Sequence, residues 1–330
     1  MSFEDKPKIS SELNNELELA ELSYSQQDFI QSIYHLGSAI SLDPVNPKAL
    51  TLLKTVLEKS VININSISID NENNNHWVEN CSVVTYIQGL TKQYDLALVN
   101  LIKLLLSTQE TLYLYWLEGW VTDEDFFKIL DLDVLKKTLV ELMKLPNQSE
   151  FNHNIREIYE FFLMLLQKAE NYYDFDESLN YIMAVIARRC LQFHKSILIA
   201  AKSYGVKPSY FNTLALAYAY RELKDYDNTV RFFLEAIAFK PEFIEVKLDL
   251  ADFMFERVNS NSDDYKKGIQ LYEDVIELKP NHEWAYPSYL YHSYMIDHNP
   301  SVLEKLKLFS LNKPDNKRAS KLLDKINKKK

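Results

Sequence analysis

Four Lys-Pro dipeptides in the C-terminal third of the chain set the strongest limit on its fold. Their prolines, at positions 208, 241, 280 and 314, are separated by 33, 39 and 34 residues. Proline has no backbone N–H and does not continue a helix beyond its first turn. The longest gap includes a polar run, residues 258–263, which accounts for five extra residues. The spacing therefore predicts helical units of one repeated length, each ended by a proline.

Residues 210–243, YFNTLALAYAYRELKDYDNTVRFFLEAIAFKPEF, show what one such unit contains. Leu216, Ala217 and Tyr220 share one face of a first helix. A second helix has its apolar face within residues 233–237, where Phe, Ala and Ile lie three and four residues apart. The polar run KDYD joins the two helices and supplies N-capping side chains. The unit is therefore a pair of short amphipathic helices placed back to back.

The pattern of this unit resembles the tetratricopeptide repeat. The resemblance rests on the 34-residue length, an early Leu-Ala-x-x-Tyr, a late Phe-x-x-Ala and the terminal Pro241. A looser copy spans residues 13–46 and ends at Pro44, and a degenerate copy is indicated by the run QYDLA at residues 93–97. One helix pair does not bury its own apolar face, so such pairs stack. The resemblance implies an all-α, right-handed superhelix, which is a helical solenoid.

The chain is predicted to have four parts. They are N-terminal repeats at 13–110 with an Asn-rich insertion near 61–75, a degenerate, irregular helical region at 111–176, C-terminal repeats at 177–316, and a basic capping helix or tail at 317–330. Within the irregular region we expect a helix to start at residues 122–125, where Thr is followed by three acids. Two more helices are predicted there, at Asp133–Leu145 and Ile155–Ala169.

The composition argues against an enzyme. The chain has only five glycines, and none forms a nucleotide-binding GxGxxG or GxxxxGK[ST] motif or a hydrolase GxSxG motif. Two cysteines, Cys81 and Cys190, are too few for a disulfide framework or a zinc site. The nearest histidine cluster, His292 with Asp297 and His298, lacks metal-ligand spacing, and we expect it to be an exposed turn. We predict no catalytic residues, no cofactor and no metal.

Charge is unevenly distributed along the chain. The net charge is −10, but residues 313–330 contain eight Lys or Arg and only two Asp. An acidic body repels nucleic acid and anionic membranes, so contact with either is expected only through the basic tail. The N-terminus shows no signal-peptide pattern, and no run of about 18 apolar residues could span a bilayer. The sequence predicts a cytoplasmic protein.

The resemblance also indicates where a partner would bind. In this family the first helices of the pairs line the inner, concave face, where ligands lie. The corresponding positions here are Phe211, Leu214, Tyr218, Arg221, Glu245, Leu248, Asp252, Phe255, Trp284 and Tyr291. Together they predict an aromatic groove with mixed charges that suits a peptide with apolar anchors. The alternative for each aromatic is internal packing, since large apolar side chains are mostly found in cores.

Three functions follow from these predictions. The first is a non-catalytic scaffold or adaptor that binds a protein or peptide partner, enzymes included, on the concave face. The second is an accessory or regulatory subunit of a modifying enzyme such as a glycosyltransferase, and the third is a peptide-sensing regulator. Some family members clamp the C-terminal carboxylate of chaperones with Lys and Asn. Leu214 and Tyr218 occupy those positions here, so no chaperone carboxylate clamp is predicted.

Overall fold

The computed structural model describes residues 5–60, 67, 69, 75–146, 153–259 and 262–328. All regular secondary structure in these residues is helical, which confirms the predicted all-α fold of the helical-solenoid class. The helices are α1 Asp5–Ser25, α2 Phe29–Leu42, α3 Pro47–Lys59, α4 Trp77–Leu90, α5 Tyr94–Thr108, α6 Leu114–Val121, α7 Phe126–Ile129, α8 Leu132–Leu142, α9 His153–Ala169, α10 Glu177–Arg189, α11 Phe193–Val206, α12 Tyr210–Glu222, α13 Tyr226–Phe239, α14 Ile244–Arg257, α15 Asp263–Leu278, α16 Ala285–Asp297, α17 Pro300–Asn312 and α18 Lys317–Asn327. A 3₁₀ turn, Thr111–Tyr113, precedes α6.

Four helices end at the same proline turn, as the proline spacing predicts. The residue before each proline is extended, with φ between −143° and −131°, because the proline ring disfavours a helical conformation there. These residues are Asp43, Lys240, Lys279 and Lys313, which follow α2, α13, α15 and α17. Each carbonyl then accepts a hydrogen bond from the N–H three residues later, at 3.0–3.2 Å. The same proline turn therefore ends each of these four helices.

A second turn also recurs, after α1, α4, α10 and α12. Its central residue is left-handed, with φ between 58° and 61°, although none of the four is glycine; they are Gln27, Lys92, Leu191 and Lys224. The next N–H bonds to the carbonyl five residues back, at 2.9–3.1 Å, as in a Schellman motif. This hydrogen bond closes the helix end and reverses the chain. The structure thus shows four equivalent turns where the sequence pattern is clear at only one.

By its internal contacts the chain divides into two compact units, unit 1 (Met1–Gln192) and unit 2 (Phe193–Lys330). In unit 2 each helix from α11 to α17 packs on the next in chain order. The last helix, α18, packs on α16 and α17 and buries Ala319, Leu322 and Ile326. These three belong to the apolar side of an otherwise basic helix. The predicted part boundaries near residues 110 and 176 remain predictions.

Unit 1 begins with regular packing and then becomes irregular. α1 packs on α2, α2 on α4 and α4 on α5, while α3 lies against α1 and α2. Trp and Tyr side chains of the irregular part form hydrogen bonds to these first helices and the turns between them. Trp116 Nε1 donates to the Pro44 carbonyl oxygen at 2.7 Å, and the hydroxyls of Tyr113 and Ser82 are 2.8 Å apart. The middle region is therefore anchored by tertiary contacts between distant side chains.

The helix start predicted at residues 122–125 is confirmed only in part, because a helix begins at Phe126 but Thr122 does not cap it. Thr122 follows the end of α6 and donates to the Gly119 carbonyl oxygen at 2.6 Å, and only the single turn α7 follows. The acid side chain of Asp123 is engaged elsewhere, because it accepts from the Tyr94 hydroxyl at 2.7 Å and pairs with Lys92 at 2.8 Å. Asp123 Oδ1 also accepts from the Asp125 N–H at 3.0 Å, so this acid serves both the turn before α7 and its tertiary partners.

The other helices predicted for the middle region are confirmed with shifted ends. The helix predicted at Asp133–Leu145 is α8, Leu132–Leu142, and the one predicted at Ile155–Ala169 is α9, His153–Ala169. Asp131 caps α8 through the N–H groups of residues 133 and 134. Most of the Asn-rich insertion near 61–75 lies outside the described residues.

Candidate functional site

The candidate site is one face of unit 2, formed by α12, α14, the start of α16 and α18; we name it the first-helix face. Two contacts join α12 to α14. The Tyr218 hydroxyl donates a hydrogen bond to the Asp249 carboxylate. The Arg221 guanidinium lies 4.8 Å from the centre of the Tyr218 ring, and its Nη1 is 3.9 Å from Asp249 Oδ1. A groove of about 390 Å³ opens beside these residues and extends along α14 to Glu256 and Arg257.

Asp252 is the most connected side chain of the first-helix face. Its Oδ1 accepts from the Tyr272 hydroxyl at 2.6 Å and from Arg318 Nη2 at 3.0 Å, and its Oδ2 accepts from Trp284 Nε1 at 3.0 Å. The same Arg318 donates through Nε to Ser288 Oγ at 3.0 Å and lies 4.0 Å from the centre of the Trp284 ring. Asp252 therefore links α14, α15, α16 and α18.

Arg318 is the site residue that the sequence reasoning missed. It was assigned to the capping helix, and no partner could be given to it from spacing alone. A signal was present, because Arg318 is the one arginine among the lysines of residues 313–330. Arginine offers a planar fork of donors and stacks on aromatic rings, which lysine does not do as well. Both properties are used here, against Asp252 and Trp284.

Phe255 packs inward, against a buried histidine. Its ring lies 3.5 Å from that of His292 and nearly parallel to it, at 10°. The Tyr265 hydroxyl is 2.7 Å from His292 Nδ1. Burial, with Arg318 and Lys325 nearby, lowers the pKa of His292 to about 3, so the imidazole is neutral near pH 7. The expectation of an exposed turn is wrong for His292, which lies within α16, but His298 and Asp297 are exposed.

A second groove, of about 620 Å³, is bounded by Asp252, Phe255, Trp284, His292 and Arg318. It shares Asp252 and Glu256 with the first groove, so both open along α14. Trp284 is 41% exposed at its edge. Four of the ten predicted partner-binding residues therefore lie at or beside this second groove, namely Asp252, Phe255, Trp284 and Tyr291.

The remaining predicted residues have different environments. Phe211 is 38% exposed and lies beside Tyr210, with Lys240 Nζ 5.2 Å from its ring centre. Glu245 is exposed and Leu248 is half-buried. Leu214 is only 7% exposed and packs inside the unit. Tyr291 at the second groove is equally buried, as the alternative of internal packing for the aromatic residues predicted. Contact of any of the ten with a partner remains a prediction.

The geometry defines a helical-repeat protein whose first helices share a polar and aromatic face. A model of the tetratricopeptide repeat family matches residues 214–243, which cover most of α12, all of α13 and the proline turn that follows. The resemblance predicted from the sequence is thereby confirmed, and the chain carries a tetratricopeptide repeat. This fold supports a general role as a scaffold for protein interaction.

Two solved structures are similar to the chain. One is a thermophilic TPR protein of Thermus thermophilus, with a TM-score of 0.34 and 14% identity over 74% of this chain and 99% of that one. The other is the TPR domain of P58(IPK), with a TM-score of 0.28 and 12% identity over 96% of this chain and 97% of that one. No curated protein matches the chain in sequence.

Two further features concern the described residues alone. Within them, no group of three or more His, Cys, Asp or Glu side chains is arranged to hold a metal ion. None of the described helices has the length and apolar character needed to cross a membrane.

Proposed function

We propose that the protein is a non-catalytic scaffold that binds a protein or peptide partner on the first-helix face of unit 2. The observation that supports this most is the continuity of the two grooves along α14, which share Asp252 and Glu256. An extended or helical segment lying along α14 would meet both grooves in turn. Trp284 at one end and Arg221 at the other are accessible enough to contact it.

The chemistry of this face suits a peptide with a few apolar anchors. Trp and Arg are the residues most often found at the energetic centre of protein interfaces. Here Trp284 is exposed but held in place by its hydrogen bond to Asp252 and by Arg318, so little side-chain entropy is lost on binding. Glu256 and Arg257 add one charge of each sign. They favour a partner whose positive group meets Glu256 and whose negative group meets Arg257.

The structure also tells which substitutions test this proposal. Phe255 packs on His292, and Tyr218 ties α12 to α14, so Phe255→Ala or Tyr218→Ala would change the fold as well as the face. Arg221 is part of the same junction, so we instead choose Glu256→Lys and Arg257→Glu, which change charge at exposed residues of the groove surface on α14. Lys305→Glu on α17 and Glu277→Lys on α15 are matched controls, since both are exposed outside the two grooves.

The experiment is affinity capture with the full chain as bait, followed by quantitative mass spectrometry. We expect a defined set of captured proteins that is lost with Glu256→Lys plus Arg257→Glu and kept with the control pair. Capture that is equal for all baits would contradict binding on the first-helix face. An enzyme recovered at stoichiometric amounts through this face would identify the protein as an accessory subunit of that enzyme.

A further inference from the structure

Unit 1 contains an apolar groove that the proposed function does not use. It lies between α5 and α8, is closed at one end by the start of α10, and has a volume of about 1020 Å³. Its apolar lining comes from Val99, Ile102 and Leu106 of α5, Val140 of α8 and Ile182 of α10. Val140 is 49% exposed, although an apolar side chain gains free energy when it leaves water. We name this feature the lysine groove, for its other lining residues.

Four lysines and one glutamate line the same groove: Lys103, Lys136, Lys137, Lys144 and Glu141. Two of the lysines already have acidic partners. Lys136 Nζ lies 2.9 Å from Asp133 and 3.0 Å from Asp176, and Lys144 pairs with Glu141. Among the described residues, neither Lys103 nor Lys137 has an ion-pair or hydrogen-bond partner, although Lys137 lies close enough to Asp133 to help lower the pKa of that carboxyl. Both ammonium groups therefore line the groove with donors that an added carboxylate could use.

This local charge is opposite to that of the whole chain, which has a net charge of −10. An anionic ligand is repelled by most of the surface and attracted here, so the groove favours an acidic ligand over a basic one. Apolar side chains at Val99, Ile102 and Leu106 are spaced three and four residues apart along α5. The row they form spans about two helical turns, the length over which a helix presents anchors at i, i+3, i+4 and i+7.

We propose that the lysine groove binds an acidic amphipathic helix of a partner protein. The apolar face of that helix covers Val140 and the row on α5, and its carboxylates pair with Lys103 and Lys137. This surface is in unit 1 and shares no residue with the first-helix face, so it gives the scaffold a second, independent docking site. A second copy of the chain is one source of such a helix, and the test separates it from a different protein.

The test measures binding of synthetic peptides to the full chain by fluorescence anisotropy. The probe is a stapled helix with leucines at i, i+3, i+4 and i+7 and glutamates on its flanks. Two matched peptides have lysine in place of glutamate, or serine in place of leucine. We expect the acidic Leu/Glu helix to bind and both matched peptides to bind more weakly by about tenfold or more. Binding of the acidic helix should weaken further as salt is raised.

Variants of the chain then locate the binding. Lys103→Glu plus Lys137→Glu should weaken the acidic helix by about tenfold or more, and Val140→Asp should do the same without changing either lysine. The matched controls are Lys48→Glu plus Lys54→Glu, exposed on α3, and Leu96→Asp, 53% exposed on α5 outside the groove. These controls should leave the affinity unchanged. Far-ultraviolet circular dichroism checks that each variant keeps its helical content.

Several outcomes would overturn the proposal. They are failure of the acidic helix to bind, equal binding of the acidic and basic helices, and equal loss in the groove and control variants. Oleate is tested as a fourth probe, because a fatty acid also joins an apolar chain to a carboxylate. Binding of oleate that needs Lys103 and Lys137, with no binding of the acidic helix, also overturns it. Concentration-dependent dimers abolished by Lys103→Glu plus Lys137→Glu would show that a second copy of the chain occupies the groove, and would overturn the proposal of a different partner protein.

Discussion

The same proline turn is exposed in unit 2 and buried in unit 1, and the difference explains how each unit is held together internally. Pro241, Pro280 and Pro314 are exposed, whereas Pro44 is buried and its carbonyl accepts from Trp116. In unit 2 the turns contact residues of the repeat before them, since Lys313 pairs with Glu283 at 3.1 Å and Lys240 lies 4.9 Å from the centre of the Tyr210 ring. In unit 1 the turn also serves as a docking point for a distant aromatic cluster. Local turns thus suffice for a regular stack, while an irregular region needs long-range anchors.

Trp116, which joins the middle region of unit 1 to Pro44, should give the largest loss of unfolding free energy. Trp116 is 4% exposed, donates to Pro44 and makes edge contacts with Tyr86 and Tyr113 at 5.3 and 4.9 Å. We expect Trp116→Ala to lower the free energy of unfolding by about 3–5 kcal/mol. The control Trp284→Ala, at a 41% exposed residue of unit 2, should cost about 1 kcal/mol. Hydrogen exchange with mass spectrometry assigns each loss to its unit. Similar losses in the two variants would contradict the comparison.

Close helix packing in unit 1 gives the next largest effect. A Cβ added at Gly89 would lie 2.2 Å from the ring of Trp120, so Gly89→Ala forces that buried ring to move. We expect a loss of about 1–3 kcal/mol. Gly205→Ala in unit 2 is the control, since a Cβ there meets nothing within 4 Å. It should stabilise α11 by about 0.5–1 kcal/mol. A stabilising Gly89→Ala, measured by chemical denaturation, would show that Trp120 is not closely packed.

Acid should weaken unit 2 through its buried histidine. The pKa of His292 is about 3 in the folded chain, and an unfolded histidine titrates near 6.5. Between these values the unfolded state binds more protons, so stability is present above about pH 6.5 and is lost as pH falls. The loss is about 2 kcal/mol at pH 5. His292→Gln should remove this part of the pH dependence, measured as the difference in unfolding free energy between pH 7 and pH 5. The exposed control His194→Gln should retain it.

The smallest predicted effect tests whether turns in the two units are equivalent. Leu191 and Lys224 occupy the same left-handed position, with φ of 61° and 60°. A side chain there costs free energy that glycine does not, so Leu191→Gly and Lys224→Gly should each stabilise by about 0.5–1 kcal/mol. Thermal unfolding of the two variants provides the comparison. If one substitution raises the stability and the other lowers it, the two turns are alike only in their backbone hydrogen bonds.

Much of the fold was predictable because the signals for it are local. Proline acts on its own residue and the one before, so Lys240, Lys279 and Lys313 could be located as helix ends from the sequence. The start of α3 has the same kind of local signal, because Pro47 is favoured in a first helical turn. The candidate site was predicted only in part. Asp252 and Trp284 were named as lining a groove, but not as bonded to each other.

The sequence by itself determined where the proline-ended helices stop and that the helices form an all-α repeat architecture. Only the tertiary structure decided which side chains meet. Asp252 and Arg318 are 66 residues apart, and Trp116 and Pro44 are 72 apart. The tertiary partners of Asp123, Lys92 and Tyr94, could likewise not be assigned from the sequence, which indicated only a helix start there. Backbone conformation responds to neighbours within a few residues, but a hydrogen bond or ion pair forms wherever folding brings donor and acceptor together.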